Sequence, residues 1–265
     1  MELKDVHYYY GDRAAVKGVS LKAERGRLYA LVGPNGSGKT TIAKLMSGII
    51  RPISGDVLID GESTRNLRPH QIVRKVGMIF QNPDYQLFES TVLDEVMFAL
   101  RGMGMRRDEA RDAALRALEA FGLSDYADRP PLSLSGGEKK RLTFAITYAI
   151  DPEYIIFDEP TVGQDRKNLE NLRDLIVRSV RANKGVILTS HDVEFLWPLN
   201  PWTFLIKDGR LAWEGELRSL FLSVRADEMH LVEPQLSSIS RSLRISPPVL
   251  LVSEALEVVR NVVDL

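Results

Sequence analysis

The chain has 265 residues, of which 35 are basic and 36 acidic, a formal net charge of -1, and no cysteine. That length suffices for one large domain, or for one domain plus a small appendage, and the balanced charge offers no field for a nucleic-acid backbone, so no nucleic-acid partner is expected. The missing thiols exclude disulfides, iron–sulfur clusters and thiolate zinc sites.

The start, Met1-Glu2-Leu3-Lys4-Asp5, lacks the basic and apolar stretches of a secretory signal. No run approaches the roughly 20 apolar residues that span a bilayer. The expectation is a soluble, cytoplasmic chain that reaches a membrane only through another protein.

Leu28 to Gly33 is a short apolar run that enters Gly33-Pro34-Asn35-Gly36-Ser37-Gly38-Lys39-Thr40, and Lys39 to Ile50 then takes on helical character. Strand, loop and helix around G-x-x-x-x-G-K-[ST] make a phosphate loop. Its glycines let backbone N–H groups close around phosphate, and the helix aims its positive end at the same charge. Lys39 reaches the β- and γ-phosphates, and the Thr40 hydroxyl is a Mg²⁺ ligand. A Gly-rich surface turn is the bland alternative, and the flanking strand and helix weigh against it.

Val76 to Phe80, Tyr154 to Phe157 and Gly185 to Thr189 read as central strands. Helices are expected at about 91–101, 108–121, 136–150 and 166–181, so strands alternate with helices and the sheet is mostly parallel. The stretch from about 83 to 131 reads as a helical insertion. Tyr154-Ile155-Ile156-Phe157 ends in Asp158 and Glu159. Adjacent strand residues point opposite ways, which gives the two acids separate tasks: Asp158 holds Mg²⁺ through water, and Glu159 polarises the attacking water.

Leu134-Ser135-Gly136-Gly137-Glu138 precedes another helix, with Ser135 placed to cap it. Taken alone the pentapeptide is an ordinary helix cap; a second helix start aimed at phosphate is unexplained in a monomer, whereas in a two-fold dimer each copy can supply it to the other's γ-phosphate. Trp202 to Ile206 and Arg210 to Trp213 form a hairpin about Asp208-Gly209. Pro234 opens a helix with Leu236, Ile239 and Leu243 on one face. After Pro247-Pro248, Ser253 precedes a second with Leu256, Val259 and Val263. This tail either folds back on the domain or dimerises; the pattern alone leaves both open.

In this order the motifs resemble those of ABC-transporter ATPases across about residues 1–215. The resemblance implies an α/β P-loop fold with a mostly parallel core sheet, an N-terminal antiparallel β part, an inserted helical subdomain and a C-terminal extension over 216–265. It implies ATP as substrate with Mg²⁺, bound by Gly33 to Thr40 and Thr41. It also makes Ser135, Gly136 and Gly137 the signature turn, Gln81 the metal-sensing Q-loop glutamine, His191 the switch histidine, Asp165 the D-loop aspartate at the dimer seam, and Tyr10 the adenine-stacking residue. Gln164 stands where the family usually has leucine, a departure bearing on coupling between sites.

Phe80-Gln81-Asn82-Pro83-Asp84-Tyr85-Gln86-Leu87-Phe88 further resembles the segment after the Q-loop in energy-coupling factor (ECF) and cobalt/nickel importers. That branch implies a second ATPase subunit, identical or sister, a transmembrane T component docking in the groove near Gln81 to Phe88, and indirectly a substrate-capturing S component. It places the chain peripherally at the cytoplasmic face of a membrane, energising uptake of a vitamin or transition-metal ion. Rival readings are another class of ABC importer, a soluble ABC mechanoenzyme, a P-loop kinase, and a silent nucleotide-binding regulator. The mechanoenzyme class usually carries long coiled-coil insertions, zinc cysteines or two tandem cassettes, which this sequence lacks; the kinase class lacks the 134–138 element and the His191 switch, and the intact Lys39, Asp158, Glu159 and His191 oppose the last.

Overall fold

Buried side chains along the central strands alternate strictly, and this alternation divides the molecule into layers. In the computed structural model, which describes residues 1–223, 231–242, 245, 249 and 251–256, the larger sheet contains β3 (Leu28–Val32), β6 (Val76–Ile79), β7 (Tyr154–Asp158), β8 (Gly185–Thr189), β9 (Trp202–Lys207) and β10 (Arg210–Glu216). Its order is β10-β9-β3-β8-β7-β6, parallel throughout except for β10. Tyr29, Leu31, Tyr154, Ile156, Ile187, Phe204 and Ile206 face one core, whereas Ala30, Val32, Ile155, Phe157, Val186, Leu188 and Leu205 face another. Both faces are covered, as a parallel sheet requires.

The first core is closed by α1 (Lys39–Met46) and a second, antiparallel sheet of order β2-β1-β4-β5, from β1 (Glu2–Tyr10), β2 (Arg13–Lys22), β4 (Ser54–Ile59) and β5 (Glu62–Ser63). A short helix, α2 (Pro69–Lys75), leads into β6. A third core is all-helical: α3 (Val92–Gly102) and α4 (Arg107–Ala120) pack on α5 (Gly136–Ile150) through Val96, Leu100, Ala114, Leu118, Leu142 and Ala145. This helical layer therefore recruits α5 from beyond residue 131. The second core is closed by α6 (Arg166–Arg181), the one-turn helix α7 (Val193–Leu196) and α8 (Leu217–Ser223).

Most elements fall where the sequence places them, with informative exceptions. α1 stops at Met46 rather than Ile50, because Gly48 turns left-handed (φ 70°) and packs against Ile72. The closing hairpin runs on to Glu216, and its turn, Asp208-Gly209, is left-handed at both positions (φ 50° and 79°), as a tight hairpin demands.

In the C-terminal segment, α9 (Gln235–Ser242) starts after Pro234 as expected. Leu236 packs on the second core, but Ile239 is exposed. The buried line is Ser237 and Ser240, whose hydroxyls donate to Glu233 Oε1 and to the Leu236 carbonyl. Helical pattern overstated the apolar face, because small satisfied serines allow closer approach. The second helix covers 252–256, so Ser253 lies inside it, and Leu243, Pro247, Pro248, Val259 and Val263 lie outside the described residues. The described C-terminal residues dock on the domain: Trp197 Nε1 donates to the Val249 carbonyl at 2.8 Å, and Leu231 is buried in the second core.

Candidate nucleotide-hydrolysis site

Strand register assembles the site at the carboxyl ends of β3, β7 and β8, where ligands bind in parallel sheets. Leu31 and Asp158 both pair with Thr189, so the strand ends meet side by side. The phosphate loop leaves β3 and feeds α1, whose N-terminus carries no side-chain cap, leaving its first amides open to an anion. The loop has no room for side chains at two glycines. A Cβ on Gly33 (φ 143°) would sit 2.1 Å from the Ile206 carbonyl oxygen, and one on Gly38 (φ 109°) 2.5 Å from that of Ala15. The hairpin turn braces the loop, since the Gly209 N–H donates to the Ser37 carbonyl at 2.9 Å.

Lys39 is nearly fully buried, and its Nζ donates to the carbonyls of Gly33 and Pro34 at 2.8 and 3.1 Å. Burial pushes its ammonium pKa down, while Glu159 and Asp158 pull it back up. Asp158 is 3% exposed; its Oδ1 accepts from the hydroxyls of Thr189 (2.6 Å) and Thr40 (3.0 Å). Glu159 does not continue the strand. Its φ of 45° is a left-handed conformation uncommon outside glycine, and its N–H donates to both Oγ1 and the carbonyl of Thr189. The two acids part company through this strained turn; simple strand alternation, expected from sequence, is corrected on that point. Glu159 Oε2 meets His191 Nδ1 at 2.9 Å, and Oε1 lies 4.0 Å from Lys39 Nζ.

Lys39, Glu159 and His191 open into a cleft of ≈ 990 Å³, whereas Asp158 lies buried behind Thr40, outside its lining. Tyr10, Asn35, Gly36, Gly38, Lys39, Thr40, Thr41, Gln81, Glu159 and His191 all line it. Tyr10 is half exposed, with its ring edge-on to Tyr8 at 5.0 Å, so it is a surface aromatic rather than core. Gln81 is exposed at the cleft's margin. Ser135, Gly136, Gly137 and Asp165 stand apart. Ser135 forms a capping box with Glu138, its N–H donating to Oε2 at 2.8 Å, and Asp165 caps α6 through the Asn168 N–H at 2.8 Å. A Cβ on Gly137 would lie 3.6 Å from Asn168 Nδ2, so the two helix starts adjoin on one surface.

Sequence reasoning missed Arg13 and Lys17 of β2, which bring cationic side chains to the cleft, and the Asp208-Gly209 turn beside them. Strand alternation does not flag them, because the pairing with β1 skips Ala15 and so breaks the period between Arg13 and Lys17. It also missed Thr189, the hydroxyl that ties both acids together. Thr40 and Asp158 offer a hydroxyl and one carboxylate, hard oxygen donors within 3.0 Å of each other, which fits a magnesium ion whose remaining ligands are phosphate and water.

The sequence profile described as ABC transporter matches residues 16–162, more than half of the chain. The chain belongs to the ABC transporter family. Over 92% of its length and 94% of the relative's, it is 39% identical to a putative ABC transporter ATP-binding protein of Pyrococcus abyssi. It is also 38% identical, over 83% of its length and 72% of the relative's, to an energy-coupling factor transporter ATP-binding protein of Methanothermobacter thermautotrophicus. An ATP-binding cassette, MJ0796, solved as a dimer in a post-hydrolysis state with ADP and Pi, superposes with a TM-score of 0.72 at 29% identity, covering 82% of this chain and 98% of that one. This ABC ATPase binds ATP and couples its hydrolysis to transport. Among the described residues no helix is long and apolar enough to cross a membrane.

Proposed function

We propose that this chain is the ATPase of an ECF-type importer, energising uptake of a small solute such as a vitamin or a transition-metal ion from the cytoplasmic face of the membrane. The observation that carries the reading is the segment after β6. A single 3₁₀ turn, Pro83–Tyr85, is followed by Gln86, whose amide caps the free edge of β6 by donating to the Met78 carbonyl (2.9 Å) and accepting from the Phe80 N–H (3.2 Å). This latch presents Tyr85 and Phe88 outward. The Phe88 ring lies edge-on to exposed Phe98 at 4.9 Å, a small aromatic patch suited to a T component's helix. The similarity to an energy-coupling factor ATPase supports the same assignment. An S component would be engaged indirectly. Residues 1–215 act as the catalytic domain, with 83–131 as its helical insertion, and 216–265 as an extension.

The site would work as one half of a dimer with a second ATPase subunit. The phosphate loop and Lys39 bind the β- and γ-phosphates, and Tyr10 stacks on adenine. Thr40, Asp158 and, at the margin, Gln81 would hold Mg²⁺, which when bound neutralises phosphate charge. Glu159, oriented by His191, polarises the attacking water. Ser135, Gly136 and Gly137 of the mate complete the γ-phosphate shell, with Asp165 at the seam, and closure strengthens the local electrostatics by excluding water. Loss of the γ-phosphate removes the group gripped by both copies, so the dimer opens.

Affinity purification of the full chain from native membranes tests this reading. An integral membrane subunit and a small solute-binding membrane protein should come with it. Recovery with a periplasmic-type solute receptor, or with ribosomes, would replace the ECF assignment.

A further inference from the structure

The segment that carries Gln81 is tied to α5 as well as to its own strand. Lys140 of α5 is 3% exposed, and its Nζ donates to the carbonyls of Phe80 and Gln81, both at 3.3 Å. Its neighbour Lys139 reaches Asp84 Oδ1 at 2.7 Å, on the 3₁₀ turn three residues further on. Gln86 closes the same segment back onto β6. The 80–86 segment is therefore hung on the central sheet at its ends and gripped in its middle by adjacent lysines of α5. The N-cap of that helix is Ser135.

Packing alone does not call for lysine at 140. Burying an ammonium is costly, and an unbranched apolar side chain of similar length would fill the space without that cost. Burial pushes the Lys140 ammonium down to about 8, against the opposing pull of the Asp158 carboxylate. What the ammonium adds is several donors that hold two successive backbone carbonyls at once.

We propose that Lys140, assisted by Lys139, is a positioning residue that couples the placement of Gln81 in its own nucleotide cleft to the placement of the Ser135 turn on the other end of the same helix turn. The inference rests on the dimeric site proposed above. In such a dimer the Ser135 turn belongs to the mate's nucleotide and Gln81 to the chain's own. A displacement of α5 imposed at one site is thus delivered, through the lysines, as a displacement of Gln81 at the other.

The test compares full-length parent, Lys140→Met and Lys140→Arg by steady-state ATPase, by binding of a fluorescent ATP analogue, and by thermal melting. We expect Lys140→Met to lose about tenfold in kcat, with analogue Kd within about twofold of parent and no lower Tm, and Lys140→Arg to recover most of the loss. Parental kcat in Lys140→Met, or a loss of kcat matched by an equal loss of binding, overturns the proposal. Should Lys140→Met not fold, a charge swap decides. Lys139→Glu and Asp84→Lys should each lower kcat about threefold and the double variant restore it; singles at parental kcat, or a double no better than either, overturn it. ATP-driven dimerisation of Glu159→Gln serves as the control. Its failure sinks the dimeric reading itself, whatever Lys140 does.

Discussion

His191 Nδ1 stands 2.9 Å from Glu159 Oε2, and the His191 backbone N–H points at the same oxygen from 3.4 Å. The carboxylate is thereby held from one side, while its other oxygen faces Lys39. Removing its charge should stop water activation yet leave the phosphate grip intact. Glu159→Gln is expected to lose at least about 10²-fold in kcat. It should also elute as a stable dimer on size-exclusion chromatography with MgATP; a monomer under those conditions contradicts the composite site. Lys39→Ala should abolish turnover, and near-parental ATPase in that variant would refute the role of Lys39.

The phosphate loop makes a sharper steric prediction. Gly33→Ala would place a methyl 2.1 Å from the Ile206 carbonyl oxygen, against backbone that cannot yield, so ATP-dependent thermal stabilisation should vanish. Gly36 also has positive φ (77°), but the nearest atom to an added Cβ there is Arg13 Nη2 at 3.7 Å. Gly36→Ala should cost only the local strain of about 1–2 kcal/mol and keep measurable MgATP stabilisation. Equal behaviour of the two variants would contradict the loop geometry.

Thr189 connects the two acids, donating to Asp158 Oδ1 at 2.6 Å and accepting from the Glu159 N–H at 3.0 Å. Thr189→Val keeps the shape and deletes both bonds. The buried Asp158 carboxylate then loses its shortest donor, a cost of about 1–3 kcal/mol. We expect a lower midpoint in urea and reduced ATPase with little change in the KM for ATP. Unchanged kcat would mean that Thr189 only supports the fold.

Far from the nucleotide, Asp60 accepts from Arg25 (2.8 Å) and the Tyr154 hydroxyl (2.9 Å), and lies 3.7 Å from Lys75. Burial pushes its pKa up, but the Arg25 guanidinium and hydrogen bonds with Glu153 and the Tyr154 hydroxyl outweigh burial and hold it at about 2, below the ordinary 3.8. A carboxylate depressed on folding stabilises above the unfolded value and loses that contribution as pH falls through the folded one. The window here is pH 4 to 2. Asp60→Asn suits the left-handed backbone at this position (φ 52°), so it tests charge alone. We expect about 1 kcal/mol of lost stability at pH 7 after solvent screening, and a flatter acid limb in urea titrations. An unchanged acid limb would show that the pair contributes nothing.

Local chemistry was legible from the order of residues because it is written in local pattern. The run Gly33 to Thr40 requires a tight glycine-rich turn between a strand and a helix, and Ser135 followed by Glu138 specifies a helix start. The apolar strands declare themselves by β-branched content. Glu159 shows where this reading stops. Strand alternation predicts its separation from Asp158, yet that separation comes from a left-handed turn held by Thr189, a residue thirty positions away in a neighbouring strand. Thr189 itself looks like any buried strand threonine until register sets it between Leu31 and Asp158. Arg13 and Lys17 likewise come to line the cleft because the Asp208-Gly209 turn bridges β2 and the glycine-rich loop, the Lys17 N–H donating to the Gly209 carbonyl and the Gly209 N–H to that of Ser37.

The sequence by itself determined the glycine-rich loop between strand and helix, the adjacent acids at the end of a strand, the helix capped by Ser135 and the α/β class, since backbone conformation, capping and side-chain charge act over a few neighbouring residues. Only the tertiary structure decided which oxygen of Glu159 faces His191, that Ser240 rather than Ile239 is buried in α9, and that Lys140 holds the Gln81 segment. Each depends on contacts across long sequence separations, where register and packing, rather than local preference, choose the partner.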